Sequence, residues 1–357
     1  MKKLALFLAV LLLLAVPAAV LAETYDLALV TDLGTIDDKS FNQGSWEGLV
    51  KYAEEFGVSH KYYQPTEQSD GAYLDAIQLA VDGGAKLVVT PGFLFETPVF
   101  FAQDMYPEVH FVLVDGNPHN ADYSEFRSEA NVVGIVYAEE QSGYLAGYAA
   151  VKEGYTKLGF MGGMAVPAVV RFGYGFVQGA EAAAKELGVP EIIINYHYTG
   201  GFAATPEAQA LAATWYNDGI EVIFACGGAV GNSVMAAAEA ATDKWVIGVD
   251  VDQSAQSERV LTSAVKGLRE SVYQAVDALY KGEFPGGESW LLGADRDGVG
   301  LPMENSRFTK FTQADYDEVF GKLAAGAIEL VKDVNAEGAA VAVTDIPLDV
   351  TKVTVVN

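Results

Sequence analysis

Thr31-Asp-Leu-Gly-Thr-Ile-Asp-Asp-Lys-Ser-Phe-Asn-Gln-Gly44 is the stretch on which the fold turns. The apolar run Leu27 to Val30 precedes it, and Trp46, Leu49, Val50, Tyr52, Ala53 and Phe56 follow at helical spacing. A strand that enters a helix through a polar loop is the repeating unit of an open α/β sheet, and such sheets bind ligands at the carboxyl ends of their strands. Asp32 ends the strand and Gly34 permits a sharp turn. Asp37, Asp38 and Ser40 suit the cap or first turn of the helix. Phe41, a large aromatic among polar neighbours, is either a small local core or a platform for stacking a flat ligand.

The amino terminus addresses compartment. Lys2 and Lys3 precede an apolar run from Leu4 to Val16, then Pro17 and the small-residue pattern Val20-Leu21-Ala22 before Glu23. This reads as a secretory signal peptide over residues 1–22, too short for a comfortable membrane span. The expectation is an exported, soluble chain of about 335 residues, enough for two domains. The single cysteine, Cys226, lies far from the cleavage site, so neither a disulfide nor lipidation at a terminal cysteine is expected. Acidic residues outnumber basic ones by 48 to 22, a net charge of −26 that repels nucleic acid and anionic lipid. Four scattered histidines and one cysteine argue against a structural zinc cluster.

Short aliphatic runs alternate with longer amphipathic stretches over most of the chain, the pattern of parallel sheets with crossover helices. Strands are expected at Leu27 to Val30, Lys61 to Tyr63, Leu87 to Val89, Phe111 to Val114 and Val132 to Val136. A helix from Glu139 to Val151 leads into a second series at Lys157 to Met161, Ile192 to Tyr196, Val222 to Ala225 and Val246 to Val249. The fold class is therefore α/β, in two similar units meeting near Tyr137 without a Pro/Ser-rich tether. Beyond them come a strand at Leu261 to Val265, a helix at Leu268 to Lys281, a turn at Phe284-Pro-Gly-Gly287 and a helix around Tyr316 to Val331.

Residues just past the strands share a character. They are Asp32, Thr90-Pro-Gly-Phe93 and Asp115-Gly-Asn117 in the first half, and Met161-Gly-Gly-Met164, Cys226-Gly-Gly-Ala-Val-Gly231 and Asp250-Val-Asp252 in the second. Carboxylates, glycines and aromatics would meet in a cleft between the units. The glycine segments could cradle a phosphate or simply make tight turns, and no Walker lysine follows either. With Asp32, Asp115 and Asp250 sharing the cleft, an uncharged ligand carrying hydroxyls is favoured over a phosphorylated one. Lys266 is placed to sit against Asp250, or is a surface lysine opening a helix. Phe202 repeats the loop-aromatic theme of Phe41, and a clamp of the two rings on a flat ligand would contribute on the order of 1–3 kcal/mol per base. Arg171 and Phe172 stand second to these. Asp295-Arg-Asp-Gly298 and Asp250-Val-Asp-Gln-Ser254 lack the later ligands of a calcium loop. No cofactor and no metal are expected.

At this point the sequence resembles the basic membrane protein family of ABC-transporter substrate-binding proteins, which includes purine nucleoside receptors. The resemblance is carried by Asp32-x-Gly34 with Asp37 to Gln43 and Glu47-Gly48, Val114-Asp115, Gly162-Gly163, Gly201-Phe202, Gly227-Gly228, Gly248 to Gln253, Leu261 to Lys266 and Phe284 to Gly287. It implies a type I periplasmic-binding-protein fold, two Rossmann-like lobes joined by three crossings and closing on a nucleoside. The first lobe would comprise 23–137 plus about 268–287, the second 138–267 plus about 288–357. Phe41 and Phe202 would sandwich a purine, Asp250, Lys266 and the Gly228 backbone would hold ribose hydroxyls, and Asp32 and Asp115 would line the first-lobe side. A membrane permease is the implied partner, and a monomer the implied state. Glu23 stands where many members carry a lipidated cysteine, Leu33 stands beside Asp32 where purine receptors can carry a polar residue, and Arg171 to Tyr174 departs from a more acidic segment.

Three other readings stand beside it. A sugar or flavin receptor of the same fold would also use carboxylates and aromatics. A nucleoside-processing enzyme would need a nucleophile and base, and the histidines at 60, 110, 119 and 197 fit no such spacing. A DNA-binding regulator sharing the lobes would need a helix-turn-helix where the signal peptide stands.

Overall fold

The computed structural model describes residues 24–32 and 34–356. The expected signal peptide and cleavage site, and Leu33, lie outside the described residues.

The first series is β1 (Leu27–Val30), α1 (Phe41–Phe56), β2 (His60–Tyr63), α2 (Asp70–Asp82), β3 (Leu87–Pro91), α3 (Glu96–Met105), β4 (His110–Val114) and β5 (Val132–Tyr137). The second is α4 (Glu139–Glu153), β6 (Lys157–Gly162), α5 (Pro167–Leu187), β7 (Ile192–Tyr198), α6 (Pro206–Asn217), β8 (Val222–Cys226), α7 (Val230–Glu239), β9 (Trp245–Asp250) and β10 (Val260–Lys266). Then come α8 (Leu268–Lys281), β11 (Ser289–Leu292), β12 (Val299–Gly300), α9 (Gln313–Ala324) and β13 (Thr351–Val355). Strands β1, β3 and β8 are buried at every residue, because helices cover both faces of each sheet.

One sheet has the order β11-β5-β4-β3-β1-β2, the other β12-β10-β9-β8-β6-β7-β13. All pairs are parallel except β10 with β12. The chain passes between sheets after β5, after β10 and after β11. The last passage falls later than the expected return near residue 287. Gly286 and Gly287 dock the Phe284–Gly287 turn on the start of β5, and Ser289 to Leu292 then pair with it in register, so this segment belongs to the first sheet. Helix α9 also differs from the expected 316–331. A capping box of Thr312 and Asp315 starts it earlier, and Gly326, at φ +66°, follows its end.

Two glycine pairs set the wall of the second lobe. A Cβ on Gly143 or Gly147 of α4 would lie 2.0 Å from the carbonyl oxygen of Phe172 or Phe176 on α5. Gly175 and Gly179 of α5 face the carbonyls of Glu140 and Tyr144 in the same way. The two helices therefore touch backbone to backbone, which brings Arg171 and Phe172 beside Glu139.

Candidate functional site

Between the lobes lies a cavity of about 630 Å³ whose lining includes Asp32, Phe41, Asp115, Phe202, Gly228, Asp250 and Lys266. All seven residues singled out from the sequence are thus brought to one place. Its volume falls within the roughly 300–1,000 Å³ common for small-molecule sites.

The polar end is built from strand termini. Asp115 follows β4 and Asp250 ends β9, and both adopt left-handed backbone, φ +64° and +67°. Non-glycine residues hold that conformation at a cost, and it turns each carboxylate off its strand. Lys266, at the end of β10, is buried, which excludes the surface reading. Its Nζ lies 2.5 Å from Asp115 Oδ2, 3.5 Å from Asp250 Oδ1 and 3.9 Å from Glu139 Oε1. The lysine does sit against Asp250, as the sequence suggested, and its shortest contact crosses between lobes to Asp115. Burial works against the ammonium charge, but Asp115, Asp250 and Glu139 outweigh it and push the Lys266 pKa up. The rings of Phe41, Tyr137 and Phe172 surround Nζ, their centroids 4.6, 5.4 and 5.5 Å away. Burial raises the Asp115 pKa against the pull of Lys266, and Asp115 Oδ1 is buried without a hydrogen-bond partner.

The other end belongs to the loop before α1. Asp32 Oδ1 accepts from the Gly34 N–H at 2.6 Å and from Asn42 Nδ2 at 3.0 Å, while burial raises its pKa. Asp38 is the helix cap, accepting from the N–H groups of Ser40, Asn42 and Gln43. Ser40 is freed from that role and donates instead to Asp250 Oδ2 across the lobes, at 2.6 Å. The Lys39 carbonyl accepts from Gln253 and Gln256 on the same second-lobe loop. Phe41 opens α1 from the first lobe, and Phe202 comes from the loop after β7 in the second. A Cβ on Gly163 would lie 2.5 Å from the Phe202 ring, so the glycine makes room for it. The Gly163 N–H is spent on the Cys226 carbonyl, and a Cβ on Gly227 would meet Gly163 N at 2.6 Å. These glycines make tight backbone packing rather than an open phosphate cradle.

Sequence reasoning missed the roles of Ser40, Glu139 and Glu96. Ser40 was read as a cap, and its cross-lobe bond depends on where Asp250 falls. Glu139 entered the sequence reading only as the first residue of the helix to Val151. It is buried, its pKa is pushed up to about 8 by burial and then by Asp115, and its Oε2 has no hydrogen-bond partner. Arg171 approaches that carboxylate at 3.7 Å while bonding Asp333 at 2.7 Å, behind the cavity rather than in it. Phe172 does line the cavity. Glu96 Oε1 accepts the N–H of Asn117, two residues past Asp115, at 2.8 Å.

Two Rossmann-like lobes with parallel sheets, joined by three passages around one central cavity, have the type I periplasmic-binding-protein architecture. The solved structure of an ABC transporter solute-binding protein from Aeropyrum pernix K1 superposes with a TM-score of 0.75 at 23% identity, covering 88% of this chain and 95% of that one. The family model Bmp, described as ABC transporter substrate-binding protein PnrA-like, matches residues 26–330. The chain is 33% identical over 301 residues to the ABC transporter nucleoside-binding protein BmpA of Lactococcus lactis subsp. cremoris (strain MG1363), spanning 78% of this chain and 82% of that protein. It is 30% identical over 305 residues to basic membrane protein D of Borreliella burgdorferi (strain JD1), with 84% of each covered. The chain belongs to the Bmp family of PnrA-like ABC transporter substrate-binding proteins. That family comprises extracytoplasmic or membrane-anchored receptors that work with a membrane permease. Among the described residues no helix is long and apolar enough to cross a membrane.

Proposed function

We propose that this chain is an exported receptor that binds a purine nucleoside between its lobes and hands it, unaltered, to the permease of an ABC importer. The observation that carries the reading is the pairing of Phe41 and Phe202, from opposite lobes, in one cavity with the buried Asp115–Lys266–Asp250 cluster. The rings stack on the two faces of the base. Asp115, Asp250, Lys266 and the Gly228 backbone take the ribose hydroxyls, with the unpartnered Asp115 Oδ1 accepting one of them. Asp32 lines the base end. The carboxylates around a single lysine disfavour a phosphate, so the ligand is a nucleoside rather than a nucleotide. A relative named for nucleoside binding supports the same ligand class. The receptor acts as a monomer, with both lobes free to face the permease.

Calorimetric titration with adenosine, guanosine and inosine tests the reading, with ribose and galactose as competitors. Phe41→Ala and Phe202→Ala should each weaken nucleoside binding about ten- to a hundredfold, given roughly 1–3 kcal/mol per stacked base. Wild-type affinity in both variants would overturn the stacking assignment. Displacement by the sugars would overturn the ligand class, and product formed on prolonged incubation would overturn the receptor role.

A further inference from the structure

Glu96, at the start of α3, is a mostly buried acid outside the cavity lining, and its carboxylate is aimed at the turn that carries Asp115. Its Oε1 accepts the Asn117 N–H at 2.8 Å, and its Oε2 lies 3.1 Å from His119 Nε2. His119 Nδ1 lies 2.7 Å from the Asn120 carbonyl oxygen. A carbonyl only accepts, so Nδ1 carries a hydrogen. Nε2 then either donates to the Glu96 carboxylate as part of an imidazolium or accepts from a protonated Glu96, and the link survives in both forms. Tyr123 stacks on the His119 ring at 4.1 Å and Phe126 lies at 5.2 Å, folding the 117–127 loop over the pair. The His119 and Glu96 side chains are only 4% and 12% exposed. Between Asp115 and Asn117, Gly116 presses so closely on the acid that a Cβ there would lie 2.6 Å from Glu96 Cγ.

Asp115 needs such support. It holds a left-handed backbone that is costly for a residue with a side chain, while its buried Oδ1 waits without a partner. We propose that Glu96, held by His119, is a positioning residue that fixes the Asp115 turn and so sets how tightly the cavity holds a ligand hydroxyl. This rests on the reading of Asp115 as a hydroxyl acceptor. Glu96 touches no ligand and acts through Asp115 alone.

The test is a double-mutant cycle read by calorimetry, with whichever of inosine, guanosine or adenosine the wild-type chain binds most tightly as the probe. Glu96→Ala should raise Kd about tenfold, the scale of one lost hydrogen bond to a charged group. Glu96→Gln should stay within about threefold, because the amide oxygen still accepts from Asn117 and its NH₂ donates to neutral His119. The Glu96→Ala/Asp115→Asn chain should bind as Asp115→Asn does alone. Should the alanine chain fail to fold, Glu96→Met keeps bulk against Gly116 and removes the same acceptors. Wild-type affinity in Glu96→Ala, equal weakening in Glu96→Gln, or multiplying losses in the double variant would each overturn the proposal. The underlying reading is judged separately: an unchanged Kd in the Asp115→Asn chain alone would remove the hydroxyl assignment and this inference with it.

Discussion

Replacing Lys266 with methionine keeps most of its length and removes its charge, and the consequence can be worked from the geometry. The ammonium lies within 4 Å of Asp115, Asp250 and Glu139, and its side chain is 2% exposed. Removing one partner of a buried ionic cluster costs about 3–5 kcal/mol, because the remaining charges stay desolvated without compensation. The carboxylates can escape that cost by taking up protons. Without Lys266 the already raised folded pKa values of Asp115 and Glu139 rise further above the unfolded ones, so the stability lost with the lysine is small at low pH and grows as pH rises. The expected destabilisation is therefore largest near pH 8, on the order of 5–10 °C in Tm, and less than half of that at pH 5. Scanning calorimetry of both chains at the two pH values measures it. A loss of only a degree or two at pH 8, or a larger loss at pH 5 than at pH 8, would refute the reasoning.

Glu139, whose pKa is pushed up to about 8, keeps its proton in the folded chain over a range in which the unfolded chain has released it. Stability from this group is full below its unfolded value and falls as pH rises through about 8. Glu139→Gln should accordingly flatten the decline in Tm between about pH 4.5 and about pH 8, and an unchanged pH profile would contradict the assignment. Ser40→Ala removes the 2.6 Å cross-lobe bond to Asp250. Ligand dissociation should quicken about tenfold in stopped-flow fluorescence, as expected for a hydrogen bond to a charged group, and an unaltered rate would deny Ser40 a part in holding the lobes together.

What could be read without coordinates follows from where the physics is local. The strands β1, β3 and β8 are continuous apolar runs because both faces of their sheets are covered, and their polar termini announced themselves by contrast. Asp32, Asp115, Asp250 and Lys266 were legible as the first charged residues at or beyond strand ends, and Phe41 and Phe202 as aromatics stranded in loops. Partners across the cavity were not legible. Lys266 was assigned to Asp250, its neighbour in the same sheet, whereas Asp115 from the other lobe lies closer, a fact that depends on how the lobes meet. Ser40 has the composition of a cap, and only the three bonds to Asp38 reveal that the cap is already filled. Glu139 and Glu96 look like acids placed to complement a helix amino terminus, and their burial is a tertiary property. The backbone contact of α4 with α5 had a visible signal, glycines four apart on both helices, that could have been read as close packing. The helix expected at 316–331 ran too far because its apolar spacing outlasted Gly326, where a left-handed turn follows the helix.

The most direct test of the receptor assignment is mass spectrometry of the small molecule released when the protein, purified without added ligand, is denatured. The account predicts a purine nucleoside, intact and without phosphate, close to one per chain. A sugar, a flavin or a free base in its place would contradict the stacking of a nucleoside between Phe41 and Phe202 above the Asp115–Lys266–Asp250 cluster.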